Sequence, residues 1–260
     1  MKDFFGFGGY KRPVEGFLSW QHILFVSILM AIMVSCAVFF GIKNRNKDMK
    51  TKNKVLIWSA ILIDGFELFK IILFCFRAKD PFDWLYNLPL YFCSMQLIAI
   101  PLCAFSKGKV KEACLDFVFI FGLLAGVMGT YGAGNNYASY PVLSVDNVVS
   151  GITHSISGFT SLYIAVAKMM SMRKENSWIT TVILLVVCMF AFIANKILDV
   201  NYMFLRRGDG TPYELFYSLV KGNQILYPIL VIALFLLYIA VFYFAYYIID
   251  RAVKKSKKQN

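Results

Sequence analysis

The sequence predicts an all-α, polytopic membrane protein: a bundle of seven transmembrane helices with the N-terminus outside and the C-terminus in the cytoplasm. Hydrophobic residues make up 59% of the 260 residues, and the mean hydropathy is +0.62. Such a chain is too apolar for a soluble domain, which needs a mostly polar surface. Several apolar segments are long enough to cross a hydrocarbon core of about 30 Å as helices. No segment alternates in hydrophobicity as a barrel strand would, so helices are the expected spanning structure.

The predicted spans occupy most of the chain. They cover residues 18–41, 55–76, 85–105, 112–132, 148–171, 177–199 and 225–249. The chain is therefore divided into an extracytoplasmic N-terminal segment (1–17), a seven-helix transmembrane domain (18–249) and a basic cytoplasmic tail (250–260). The first span is longer than the core of a signal peptide, so we expect it to be retained.

Lysine and arginine are concentrated in alternate connections. The stretch KNRNKDMKTKNK after the first span contains six of them and the tail RAVKKSKKQN contains five, whereas the connection AGNNYASYPVLSVDN contains none. By the positive-inside rule, the basic segments face the cytoplasm. The basic residues behind the net charge of +12 then set the orientation of the chain and contact anionic headgroups. We therefore expect membrane phospholipids, and no nucleic acid, as partners. The expected location is the cell membrane, as a multi-pass protein.

Ionisable residues inside predicted spans are functional candidates, because burying charge in lipid is costly. In the second span, Asp64, Glu67 and Lys70 are three residues apart, which places them on one helix face turned toward the bundle. Glu67 and Lys70 can form an ion pair. Lys196 and Asp199 have the same spacing near the outer end of the sixth span. The simpler interpretation of both is a neutralised pair that orients helices.

A cysteine and a histidine in different spans are predicted to lie at a similar depth. Cys93, in LPLYFCSMQ, is about 12 Å from the outer end of its span, and His154, in SGITHSISGFTS, is about 9 Å from the outer end of its own. Serine and glycine share the helix face of His154, which allows a neighbouring helix to approach closely. An imidazole can accept a thiol proton and leave a nucleophilic thiolate, so Cys93 and His154 are the candidate catalytic residues. A packed cysteine and a hydrogen-bonded interhelical histidine are the simpler alternatives.

No cofactor and no metal are expected. His22, near the outer end of the first span, could join His154 and Cys93 around zinc, but no H-x-x-x-H or C-x-x-C spacing occurs. Nucleotide-binding glycine motifs are also absent, and the seventh span has no lysine for a retinal Schiff base. The six cysteines fall within or beside the spans, so no disulfide framework is predicted.

The stretches LPLYFCSMQ, ITHSISG and DVNYMFLRRGDGTPYELF resemble the YwaF-like family of bacterial integral membrane proteins, to which the eukaryotic transmembrane protein 164 acyltransferase is related. The likeness runs over nearly the whole chain, and L-P-L-x-x-C and N-Y-M-F-L are its most specific motifs. It implies a protein that moves fatty acyl groups between phospholipids through a cysteine nucleophile, which is Cys93 here. The family pattern has a histidine after L-P-L where this chain has Tyr91, and its tryptophan-rich stretch near the seventh span here reads GNQILYP.

On this hypothesis Cys93 takes the acyl group as a thioester, with His154, or alternatively His22, as the base. Gln96, one helical turn from Cys93, and Asn201 are candidate donors to the oxyanion. The candidate substrate-binding residues are His22, Gln96, Asn201, Tyr202 and Arg206. Among them, Arg206 lies near the predicted headgroup level, where it could hold a lipid phosphate or act only as an interfacial anchor.

Two other functions account for part of the same sequence. Charged residues within spans are also typical of a transporter or permease, although no repeat between the two halves is evident. A non-enzymatic membrane scaffold would act through an unidentified membrane protein partner. Phospholipid acyl transfer accounts for more of the motifs and is the preferred hypothesis.

Overall fold

The computed structural model describes residues 3–259, with side chains as far as residue 252. All regular secondary structure in these residues is helical, as the composition predicts. Internal contacts divide the chain into two units, Met1–Pro89 with Cys93–Met170 and Leu90–Phe92 with Ser171–Asn260.

In its described part, from residue 3 onward, the first unit contains six α-helices and one 3-10 helix. The α-helices are α1 (Trp20–Asn44), α2 (Met49–Ala78), α3 (Gln96–Phe105), α4 (Gly108–Met128), α5 (Gly134–Ser139) and α6 (Val145–Val166). The 3-10 helix covers Asp83–Asn87. Ser19 caps α1 by accepting the His22 N–H at 3.2 Å, and Ser144 caps α6 by accepting the Asn147 N–H at 3.3 Å. A serine in this position satisfies an amide that the first helical turn leaves unpaired.

The second unit contains three α-helices and one 3-10 turn within the described residues. They are α7 (Lys174–Leu198), the 3-10 turn (Tyr202–Phe204), α8 (Glu214–Leu219) and α9 (Leu226–Gln259). The α7 and α9 helices pack against each other. The predicted basic tail is thus the helical end of α9 as far as Gln259, and Asn260 lies outside the described residues, as do Met1 and Lys2 of the predicted N-terminal segment.

Three helices of the described chain are long and apolar enough to cross a membrane: Trp20–Asn44, Lys174–Leu198 and Leu226–Ala252. They correspond to the first, sixth and seventh predicted spans. The α2, α4 and α6 helices coincide in position with the second, fourth and fifth, but their polar and charged residues make them less apolar. The third predicted span contains only the ten-residue helix α3.

The prediction of one continuous helix over residues 85–105 is wrong. Residues 88–95 form an extended segment and turns, and α3 begins only at Gln96. Leu88 is extended at φ −62° and ψ 149°, as expected before proline, because the ring of Pro89 disfavours a helical residue ahead of it. Pro89 also lacks the amide hydrogen that a helix would require. Cys93 therefore lies in the turn before α3 and not within a helix.

Small residues bring α4 and α6 into close contact. A Cβ atom on Gly122 would lie 2.8 Å from the Ser157 carbonyl oxygen, and one on Gly126 would lie 3.0 Å from the Cα of Gly158. The prediction that a neighbouring helix approaches the serine and glycine strip of α6 is confirmed. Because α1 and α2 also pack on α6, this helix positions the side chains at the centre of the first unit.

The N-terminal segment is attached to the ends of α2 and α6. Arg77, at the end of α2, donates to both carboxylate oxygens of Asp146 at 3.0 Å, and the Tyr10 hydroxyl donates to the same carboxylate. Burial and the hydrogen bond to Asp146 raise the pKa of Tyr10 to about 12, so the phenol stays protonated as a donor. The Phe4 carbonyl oxygen accepts the Val145 N–H at 3.0 Å. These contacts join residues distant in sequence at one end of the first unit.

Candidate functional site

Cys93 lies in the turn that leads into α3. Its carbonyl oxygen accepts the Gln96 N–H at 3.4 Å, and its sulfur is hydrogen-bonded to the Ser94 hydroxyl. The thiol is buried within the first unit, and the residue as a whole is half-buried. The side chains of Glu67 and Lys70 on α2 are within electrostatic reach of this sulfur. Cys93 is thus next to charged groups and is not sealed in an apolar core.

His154 points from α6 toward the C-terminal end of α4. A Cβ atom on Gly129 would lie 2.1 Å from the His154 Nδ1 atom, so the imidazole lies directly against the Gly129 backbone. The ring is also hydrogen-bonded to the Ala125 carbonyl oxygen. A carbonyl can only accept, so the nitrogen facing it carries a proton, and the other nitrogen of the neutral ring is an acceptor. That second nitrogen has the property that a general base requires.

The charge of Lys70 affects both candidate catalytic side chains. Its Nζ atom lies 2.6 Å from Glu67 Oε1, which confirms the predicted ion pair. The ammonium group is within electrostatic reach of both the Cys93 thiol and the His154 imidazole. The charge of Lys70 therefore acts on both groups, one in a turn and the other on α6. A nearby cation stabilises a thiolate and disfavours an imidazolium, and the Glu67 carboxylate moderates both effects.

Gln96 is a buried amide without a protein partner. Its side chain is 0% exposed, and neither its oxygen nor its nitrogen is hydrogen-bonded within the structure. Leaving such a group unpaired costs on the order of 1–3 kcal/mol. Gln96 is the first residue of α3 and follows the Cys93 turn directly. A side-chain amide with unused N–H groups at this place is suited to donate to an oxygen of a bound molecule.

His22 uses both ring nitrogens in protein contacts. Its Nδ1 atom accepts the Leu18 N–H at 3.1 Å, and its Nε2 atom donates to the Thr130 carbonyl oxygen at 3.1 Å. The ring packs on Tyr137 with 3.8 Å between centroids and is fully buried. These contacts anchor the start of α1 to the segment that follows α4, and they leave neither nitrogen for a substrate.

Asn201 and Tyr202 build the turn that follows α7 in the second unit. The Asn201 Oδ1 atom accepts the Arg206 N–H at 3.0 Å, and its Nδ2 atom donates to the Asp209 carboxylate at 2.8 Å. The Tyr202 backbone N–H and carbonyl oxygen both pair with the Asn195 side chain, at 2.6 and 3.0 Å. The side-chain amides of Asn195 and Asn201 therefore hold the turn in place.

Tyr91 takes the position of the histidine in the family pattern that the sequence resembles. Its ring packs edge-on against the ring of Tyr202, with 5.0 Å between centroids. The two most specific motifs, L-P-L-x-x-C and N-Y-M-F-L, thus contact each other through these two tyrosines.

The predicted ion pair between Lys196 and Asp199 is wrong. Asp199 ends α7 in a left-handed conformation with φ 55°, which turns its side chain away from the helix face, and its carboxylate pairs with Arg206. The Lys196 Nζ atom instead lies 4.7 Å from the centroid of the Phe192 ring. Arg206, predicted as a phosphate contact, accordingly already holds a carboxylate.

A family model for known proteins matches residues 17–247, a range that contains all these elements, and its description is the TMEM164 family. The chain belongs to the TMEM164 family. Membership in the TMEM164 family, together with the apolar helices, makes it a membrane protein. No curated protein matches the chain, and no solved structure does.

The sequence did not predict that Ser94 and Gly129 contact the candidate catalytic side chains in this TMEM164 family member. The partner of Gly129, the His154 ring, depends on how α4 and α6 are aligned, which the sequence does not reveal. Ser94 carries no signal beyond its place beside Cys93. Within the described residues, no group of three or more histidine, cysteine or acidic side chains is arranged to hold a metal ion.

Proposed function

We propose that this TMEM164 family protein is a phospholipid acyltransferase that works through a thioester on Cys93. We propose further that it crosses the cell membrane seven times, with its N-terminus outside. The observations that carry the proposal are the electrostatic effect of the Lys70 ammonium on both Cys93 and His154, and the buried, unpaired amide of Gln96 one turn after Cys93. A nucleophile, a base and an oxyanion donor are the three groups that acyl transfer requires.

The chemistry divides into two balanced half-reactions. His154 accepts the thiol proton of Cys93, and the thiolate attacks the ester carbonyl carbon of a donor phospholipid. The ester C–O bond breaks, and the lysophospholipid leaves with the proton from His154. The hydroxyl of an acceptor lysophospholipid then gives its proton to His154 and attacks the thioester, which transfers the acyl group and restores the thiol. Gln96 donates to the carbonyl oxygen when it becomes negative in each step.

We assign a structural role to the other residues that were predicted to contact the substrate. His22 and Asn201 have their polar side-chain atoms engaged in hydrogen bonds of the protein, and Arg206 is paired with Asp199. A substrate would have to break these contacts before it could use the same groups. Gln96 is therefore the predicted substrate contact that we retain.

Replacing Cys93 with alanine tests the proposal directly. In proteoliposomes with a labelled donor phospholipid and an unlabelled lysophospholipid, transfer of the label should fall by at least roughly a thousandfold, because the nucleophile is gone. Cys36→Ala, which removes a partly accessible thiol from α1, is the matched control and should transfer normally. Label that remains on the wild-type protein and is released by hydroxylamine would identify the thioester. Undiminished transfer by Cys93→Ala would refute the proposal, and a transporter or scaffold would then be favoured.

Replacing Lys70 with methionine should slow acyl transfer by roughly tenfold, the factor that corresponds to about 1.4 kcal/mol. The substitution leaves the Glu67 carboxylate uncompensated beside the Cys93 sulfur, which disfavours the thiolate. The rate at which iodoacetamide alkylates Cys93 at neutral pH should fall with it. The double variant Glu67→Gln/Lys70→Met removes both charges and should recover part of each rate. Equal alkylation rates in Lys70→Met and the wild type would contradict this electrostatic role.

A further inference from the structure

The second unit contains a cavity of about 500 Å³ where α7 begins and α9 approaches its end. It is distinct from the surroundings of Cys93, and acyl transfer uses none of its side chains. The charged and tyrosine residues in its walls are Arg173, Lys174, Tyr243, Tyr246, Tyr247 and Asp250.

Basic side chains converge on one wall of this cavity. The Lys174 Nζ atom lies 4.7 Å from the centroid of the Tyr247 ring, and the Arg251 Cζ atom lies 4.2 Å from the same centroid. Arg173 lines the cavity as well, and Asp250 is the one carboxylate among the described side chains of its wall. Two cations and one carboxylate in the wall leave one positive charge in excess, and Arg251, outside the wall, shares the Tyr247 ring with Lys174, so these two cations repel each other. A bound anion would relieve this repulsion.

The cavity lies at the end of two candidate membrane spans. Lys174–Leu198 and Leu226–Ala252 are both long and apolar enough to cross a membrane. The Thr180 hydroxyl lies 3.2 Å from the Tyr243 hydroxyl, which ties the second turn of α7 to the middle of α9. The two helices therefore leave the apolar region on the same face, beside the cavity. Tyrosine, lysine and arginine are the residues that favour this headgroup level.

We propose that the cavity binds the phosphate-bearing headgroup of an anionic phospholipid. Lys174 and Arg173 contact the phosphate, and the tyrosines pack against the glycerol and its first ester group. The volume of about 500 Å³ falls within the range of roughly 300–1,000 Å³ typical of small-molecule sites. The positive-inside pattern predicts that this face is cytoplasmic, where anionic lipids are bound by basic pockets between helices. The proposal is independent of the chemistry at Cys93.

Retention of lipid by the full chain tests this site. The purified protein is mixed with equal amounts of phosphatidylglycerol and phosphatidylcholine that have the same acyl chains, and the retained lipids are counted by native mass spectrometry. Arg173→Gln/Lys174→Gln should lower the preference for phosphatidylglycerol about 25-fold, because each basic residue near an anionic surface contributes roughly fivefold. Lys47→Gln/Lys50→Gln makes the same charge change in the connection after α1 and in the first turn of α2, and it should keep the preference. The charge-preserving variant Arg173→Lys/Lys174→Arg should keep most of it.

Each alternative outcome is decisive. Equal losses in the two glutamine double variants would attribute the preference to overall charge and overturn the site. Inorganic phosphate distinguishes a lipid headgroup from free phosphate as the ligand. One outcome is that phosphate stabilises the wild type against heat but not Arg173→Gln/Lys174→Gln, while both proteins retain phosphatidylglycerol equally. In that case the cavity binds free phosphate and the lipid assignment is wrong. Should the double variant fail to fold, Tyr247→Leu removes the ring beneath two cations and should lower the preference roughly threefold. An unchanged preference in Tyr247→Leu would then overturn the proposal.

Discussion

Replacing His154 with alanine should lower the rate of acyl transfer by roughly 10³-fold, the middle of the range for loss of a general base. The imidazole is the base that generates the Cys93 thiolate, and both His22 nitrogens are already engaged and cannot replace it. The variant keeps its nucleophile, so slow formation of the thioester should persist. The measurement is the rate of label transfer between phospholipids in proteoliposomes, with and without added imidazole. Imidazole that diffuses into the space left by the side chain should restore part of the rate.

Gly129→Ala provides an independent test of the same base. The backbone at Gly129 has φ −76°, which any residue can adopt, so the added methyl group causes no backbone strain. The three atoms nearest to the added Cβ all belong to the His154 imidazole ring, and the Nδ1 atom would lie only 2.1 Å away. We therefore expect the methyl group to displace the ring and to lower the rate by roughly tenfold or more.

The double variant Gly129→Ala/His154→Ala separates a catalytic effect from a packing effect. If Gly129 acts through the imidazole, the double variant should be no slower than His154→Ala alone, since the two changes remove the same function. Multiplied losses would indicate that Gly129 matters for helix packing instead. His154→Ala with full activity would leave Cys93 without its base and would refute the catalytic pair.

Periodic patterns in the sequence predicted those parts of the site that depend on one helix face. Glu67 and Lys70 pair because residues three apart are neighbours on a helix, whatever surrounds it. The serine and glycine strip of α6 likewise meets α4, because small residues are the ones that allow two backbones to approach. The similar depth of Cys93 and His154 stays a prediction, because the helical rise used for Cys93 does not apply to its turn.

The predictions failed where tertiary contacts decide the backbone conformation. Asp199 leaves its expected partner because it adopts a left-handed conformation at the end of α7, where Arg206 becomes its neighbour. Residues 88–95 were apolar enough for a membrane span, yet Pro89 and the packing of Tyr91 on Tyr202 favour an extended segment and turns. Hydrophobicity measures the solvent that a segment prefers, and it does not determine whether that segment is a helix.

Replacing Arg77 with methionine should lower the free energy of unfolding by about 3 kcal/mol or more. Arg77 makes two hydrogen bonds of 3.0 Å to Asp146, whose side chain is 3% exposed. Removing the guanidinium leaves a buried carboxylate with the Tyr10 hydroxyl as its remaining side-chain partner. The measurement is unfolding in detergent by increasing fractions of a denaturing detergent, followed by circular dichroism. Arg12→Met, which breaks an exposed ion pair to Asp3, is the matched control and should cost less than about 1 kcal/mol.

The double variant Arg77→Met/Asp146→Leu shows whether the cost comes from the lost ion pair or from the abandoned charge. Replacing both partners with apolar side chains of similar size removes the buried carboxylate, so most of the stability should return. The coupling energy from this cycle should therefore be large, because the two groups touch. If Arg77→Met and Arg12→Met cost the same, the Arg77–Asp146 pair is no more than a surface contact. The attachment of the N-terminal segment to α2 and α6 would then have to come from its aromatic and backbone contacts alone.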